Sequence, residues 1–214
     1  MPKESPVERI YHALRERITT QKFSPNESLI EYHLAEEYGV SRATVKKAIM
    51  MLEQDGLVTV TANKSAKVRS FSKKEVLDFL SFRQELEGYI VRLAVPEFTP
   101  EDIAELEAIA QQMKEFKEQG QLVEYSKNNQ LFHNKIMDVC PNRLAVDITR
   151  GLKTQMRKYN TRTILVPGRA DHSLLEHTAI LDAIKARAPE TAEQAMRFHL
   201  ANVKTEFEEN FELF

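Results

Sequence analysis

Between Leu34 and Leu57 the apolar residues fall into two short helical stripes separated by a turn. Leu34, Ala35 and Tyr38 make the first, and Val45, Ala48, Ile49 and Leu52, at i, i+3, i+4 and i+7, make the second. Gly39 lets the backbone turn between them, and Ser41 is placed to cap the helix that follows. The face opposite the second stripe is Arg42, Ala43, Lys46, Lys47 and Met50. Upstream, Ser5-Pro6-Val7-Glu8 is a capping box with proline at the first helical position, and Val7, Ile10, Tyr11, Leu14 and Ile18 predict a helix from Pro6 to Thr20. Phe23-Ser24-Pro25-Asn26 is turn chemistry, after which a short helix resumes near Glu31. Beyond Gly56 the period falls to two. Leu57-Val58-Thr59-Val60-Thr61 and Ala66-Lys67-Val68-Arg69 flank the polar tip Ala62-Asn63-Lys64-Ser65, which predicts a β-hairpin.

From the second capping box, Ser72-Lys73-Lys74-Glu75, the chain reads as helix. Stops at Pro96 with Thr99-Pro100, Gly120, Pro141-Asn142, Pro167-Gly168 and Pro189 cut six amphipathic segments, 73–95, 100–119, 122–139, 142–165, 170–187 and 190–211. The expected fold is mainly α. A winged helix-turn-helix of three helices plus a β-hairpin occupies residues 1–70, and an all-α antiparallel helical bundle occupies 71–214.

The 214 residues are 42% apolar, enough for an ordinary core. No window approaches the roughly 18 consecutive apolar residues of a membrane span. The N-terminus also lacks a signal-peptide pattern, so the expectation is a cytoplasmic protein with no membrane partner. The single cysteine, Cys140, excludes an internal disulfide and a cysteine-rich zinc site. A net charge of -2 conceals an asymmetry: residues 1–72 hold 11 Lys/Arg against 9 Asp/Glu, and the remainder 19 against 23. Any polyanion-binding surface is thereby assigned to the first third.

Two constellations carry chemistry. The helix that opens at Arg42 buries one stripe and presents basic residues at its N-terminal turns, the arrangement that enters a DNA major groove. Arg42 is the candidate for a base edge. Lys46 and Lys47 attract phosphate, Ser41 and Thr44 are candidate phosphate contacts, and Lys64 and Lys67 sit on the wing. In the helical region Asn129 and His133, at i and i+4, project together, and His177 and His199 lie on apolar faces of later helices. Neutral imidazoles converging inside a bundle hold a divalent transition metal. Taken singly, each histidine is also an ordinary core residue, and the basic face an ordinary solvated one.

Leu34-Ala35-Glu36-Glu37-Tyr38-Gly39-Val40-Ser41-Arg42-Ala43-Thr44-Val45-Lys46-Lys47-Ala48-Ile49, followed by Leu52-Glu53-Gln54-Asp55-Gly56-Leu57, resembles the signature of the GntR family of bacterial winged-helix repressors. Lys46 stands where the family usually has Arg, Asn26 where the usual turn has Gly, and Ser65 where the wing usually has Gly. The second region resembles the FCD ligand-binding domain of FadR-type members in its six-helix, VanR-like form. Its counterparts are Arg83-Gln84-Glu85-Leu86-Glu87, Asn129-Gln130-Leu131-Phe132-His133, Glu176-His177-Thr178-Ala179-Ile180 and His199. The resemblance implies a homodimer on a palindromic double-stranded DNA operator, and a divalent metal, Zn²⁺ or Ni²⁺, held by Asn129, His133, His177 and His199. It also implies a small organic acid effector engaged by Arg83. Asn129 replaces the family's usual Asp, which leaves the bound metal with one more unit of positive charge. Two other readings use the same residues. One is a metal-dependent hydrolase or lyase with Glu176 as general base, and the other is an effector-independent DNA-binding dimer.

Overall fold

Ser5 opens α1 (Pro6–Thr19): its side chain accepts from the Glu8 amide while the Glu8 carboxylate accepts from the Ser5 amide, the reciprocal box expected from the sequence. The structure is a computed structural model, and it describes residues 4–61, 65–160 and 163–213. Gly39 ends α2 (Glu31–Tyr38) at φ 63°, in the left-handed region where an L side chain is strained. A Cβ at Gly39 would meet nothing within 4 Å, so the backbone conformation rather than space calls for glycine there. Two residues later Ser41 caps α3 (Arg42–Gln54), accepting from the Thr44 amide at 3.1 Å. Val45, Ala48, Ile49 and Leu52 of α3 are buried with Ile10 and Leu14 of α1 and Leu34 of α2 in one core.

The wing is a three-stranded antiparallel sheet in the order β1 (Ser28–Leu29), β3 (Ala66–Val68), β2 (Val58–Thr59). Leu29 pairs with Ala66 and Val58 with Val68. β1 is not foreseen from the sequence, because two residues leave no alternation to detect. The turn before it is: Asn26 adopts φ 65°, and its amide donates to the Val68 carbonyl at 2.9 Å.

The chain divides between Ser72 and Lys73 into two compact units, with Thr154–Lys158 grouped with the first. Among its described residues the second unit has helices and no strand. The helices after Ser72 are α4 (Lys73–Ala94), α5 (Pro100–Glu118), α6 (Leu122–Val139), α7 (Arg143–Gln155), α8 (Arg157–Asn160), α9 (Arg169–Lys185) and α10 (Pro189–Glu209), with the end of α7 and the start of α8 in the segment grouped with the first unit. α4 and α9 both pack on α10, and α5 packs on α6 and α9. Thr99 and Asp102 form a capping box at the start of α5. The segment expected as one helix over 142–165 is instead divided into α7, α8 and a 3-10 turn at Thr163–Leu165. The first break falls at Met156, between Gln155 and Arg157, where the sequence carries no helix breaker. Gly168, at φ 81°, starts the chain into α9. Among the described residues no helix is long and apolar enough to cross a membrane.

Candidate functional site

On α3 the sequence pattern maps directly onto exposure. Ser41, Arg42, Lys46 and Lys47 are exposed, Thr44 is half-buried, and the four residues of the opposite stripe are buried. Ser41 Oγ and Thr44 Oγ1 lie 2.9 Å apart, so the cap and the first turn are tied together while both hydroxyls stay at the surface end of the helix. Arg42 is 3.8 Å from the exposed side of Glu31, a distance that leaves its guanidinium available to a stronger partner. Lys67 is exposed on β3, and Lys64 lies outside the described residues.

The second site is the reverse: polar, charged and buried. His133 on α6, His177 on α9 and His199 on α10 converge, with one ring nitrogen from each within 4.8 Å of the others. All three are at most 3% exposed. Their outward nitrogens are committed. His177 Nδ1 donates to the Ser173 carbonyl at 2.6 Å, and His199 Nδ1 faces Glu176 Oε2 at 2.6 Å. His133 Nδ1 lies 2.8 Å from Glu87 Oε2. The Ser173 carbonyl and the Glu176 carboxylate place the ring protons of His177 and His199 on Nδ1, so their Nε2 atoms carry bare lone pairs. His133 Nε2 and His177 Nε2 face each other at 3.3 Å.

That arrangement fits a cation. Nitrogens on a tetrahedral zinc with bonds of about 2.0–2.1 Å stand about 3.4 Å apart. The ionisation states agree with the geometry. Burial pushes His133 down to about 3 and His199 down to about 4, and it pushes His177 well below the usual imidazole range. All three are therefore neutral, the form that binds metal. Burial works against the Glu176 charge, but the bonds from His199, Arg169 and Asn202 outweigh it and hold the carboxyl at about 2. Burial likewise opposes the charge on Glu87, where Arg83, Lys153 and His133 outweigh it and keep the carboxyl well below its ordinary range. Two ionised carboxylates thus stand behind the imidazoles, each paired with a buried arginine. Asn129 itself is half-buried beside His133, and its Oδ1 is buried with no hydrogen-bond partner among the described residues. An unpartnered amide oxygen at that position is a ready oxygen ligand.

A partly open pocket adjoins the cluster. Its walls include Arg83, Asn129, His133, Lys153, Arg169 and His199. Arg83 pairs with Glu87 one helical turn on, and both are buried rather than forming the surface pair that i and i+4 spacing alone allows. Sequence reasoning did not find Lys153, Arg169 or Ser173. Ser173 was accessible in principle, since it precedes His177 by one turn. Arg169 precedes Glu176 by two turns on the same face of α9, but nothing local marks either as buried.

Residues 6–68 match the model of the bacterial regulatory proteins of the gntR family, and residues 78–202 match the FCD domain. The chain is 27% identical over 190 residues to the uncharacterized HTH-type transcriptional regulator YdhC of Bacillus subtilis (strain 168), covering 88% of this chain and 85% of that protein. It is 24% identical over 202 residues to the HTH-type transcriptional repressor RspR of Escherichia coli (strain K12), covering 94% and 89%. The solved structure of E. coli McbR/YncC shares the fold, with a TM-score of 0.77 at 21% identity over 97% of this chain and 99% of that one.

Proposed function

Because the chain belongs to the gntR family of bacterial regulatory proteins and carries an FCD domain, we propose that it is a transcriptional repressor that binds a palindromic operator as a homodimer. A small carboxylate effector, held at a metal site in the helical unit, controls that binding. The cytoplasm is where such a protein meets its operator. The observation that carries the DNA-binding part is the α3 face. Arg42, Lys46 and Lys47 project from one side of a capped helix whose other side is sealed into the core by Val45, Ala48, Ile49 and Leu52. Arg42 reads a base edge, since its planar fork can bond two acceptors of a guanine at once. Lys46, Lys47, Lys67 and Lys64 attract phosphate as point charges, and Ser41 and Thr44 contact phosphate at the start of α3.

His133, His177, His199 and Asn129 hold the divalent ion, with Zn²⁺ or Ni²⁺ suited to three imidazoles and an oxygen. Once bound, the ion supplies an electrophilic anchor for a carboxylate oxygen. Arg83 stands at the wall of the same space and orients the acid. Glu176 is occupied by Arg169, His199 and Asn202, which suits a residue that positions a ligand and does not suit a general base. Whatever change in operator affinity the acid produces, operator binding changes acid affinity by the same factor. A gel-shift titration on operator DNA tests the reading. Arg42→Ala is expected to weaken specific binding, and unchanged affinity would remove α3 from the role assigned to it.

A further inference from the structure

Arg169 is 2% exposed, and its side chain lies wholly inside the helical unit. One terminal nitrogen, Nη2, donates to Glu176 Oε2 at 2.6 Å, the same oxygen that faces His199 Nδ1. The other, Nη1, is buried and has no hydrogen-bond partner among the described residues. Arg169 also lines the space beside the histidines. A buried donor left unmade costs about 1–3 kcal/mol, and more on a charged group, so this nitrogen is aimed at something the protein itself does not provide.

Charge points to what that is. With the imidazoles neutral, Arg83, Lys153 and Arg169 are the cations at the walls, and Glu87 and Glu176 are the carboxylates behind them. A divalent ion would bring the site to about three positive charges in excess. A monocarboxylate on the metal neutralises one of these and leaves Nη1 of Arg169 unpaired.

We infer that Arg169 recognises a second anionic group, and that the site is built for a small dicarboxylate with one carboxylate presented to the metal and the other to Arg169 Nη1. Arg83, tied to Glu87, then orients the acid without being its principal anion partner. This rests on the metal-anchored acid site proposed above. It goes further in naming the ligand class and the residue that selects it.

The test is calorimetric titration of the zinc-loaded full chain with acetate and with malonate, with zinc content measured separately. One charge-assisted bond more corresponds to malonate binding about 10–100-fold more tightly than acetate. Arg169→Lys keeps a charge beside Glu176 but loses the second terminal nitrogen. It is expected to bring the two acids to within about threefold of each other while zinc content stays unchanged. Equal affinity of the wild-type chain for the two acids, or a preference that survives Arg169→Lys at full zinc content, overturns the role of Arg169 and leaves the metal site standing. A chain that takes up no zinc overturns both. Should Arg169→Lys fail to fold, a crystal structure of the zinc-loaded wild type with malonate decides. A carboxylate on Arg169 Nη1 supports the inference, and a carboxylate on Arg83 alone, or none in the site, overturns it.

Discussion

The two functional regions of this chain solve opposite physical problems. On α3 the candidate DNA-contacting side chains stand in water and need only be aimed, which the Ser41 cap and the buried stripe accomplish. In the helical unit the working side chains are at most 3% exposed, so each must be given a partner before it can be buried at all. The imidazoles are neutralised by burial, His177 and His199 donate to the Ser173 carbonyl and to Glu176, His133 lies against Glu87, and the carboxylates are held ionised by Arg169, Arg83 and Lys153. An exposed reading face tolerates substitution locally. A buried ligand cluster does not, since removing one member orphans another.

That contrast can be broken most severely at the cluster. His177→Ala is expected to lower metal affinity by more than about 100-fold, beyond the range of an outer-partner substitution, and to leave operator binding by the metal-free chain intact. Metal-content analysis and gel shift check the two halves. Glu176→Gln keeps every ligand but loses the carboxylate behind His199, and a loss of about 10–100-fold in metal affinity is expected by competition with a chromogenic chelator. On the exposed face Arg42→Ala is expected to cost about 1–3 kcal/mol of specific operator binding, with the effect confined to one base position of the operator and no change in metal content. Lys46→Ala should weaken all sequences alike and lower the salt dependence of binding, because it removes a phosphate contact. The smallest effects sharpen the comparison. Ser41→Ala and Thr99→Ala each delete an N-cap at a cost of about 1 kcal/mol in thermal or denaturant unfolding. Only Ser41→Ala is expected to reduce operator affinity as well.

Legibility from sequence followed the same divide. The helix-turn-helix was readable because each of its parts has a local signal: a glycine for the left-handed turn, a serine for the cap, and a stripe at i, i+3, i+4 and i+7. β1 escaped because pairing Ser28–Leu29 with β3 is a long-range event with no local pattern behind it. The break at Met156 within 142–165 escaped because neither proline nor glycine marks it. The three histidines could be placed on inward faces by helical spacing, and they do meet. Their partners could not be placed. Glu87, Lys153, Arg169 and Glu176 are charged residues whose usual place is the surface, and only the packing of α4, α7, α9 and α10 around the cluster shows that they are inside.

His133, His177 and His199 are proposed to converge on one metal ion. The most direct measurement is the metal-to-chain ratio of protein purified without chelator, then stripped and titrated with Zn²⁺ or Ni²⁺. One ion per chain, removed by chelator and restored on titration, is the predicted result. Protein that arrives without metal and takes up neither ion would contradict it.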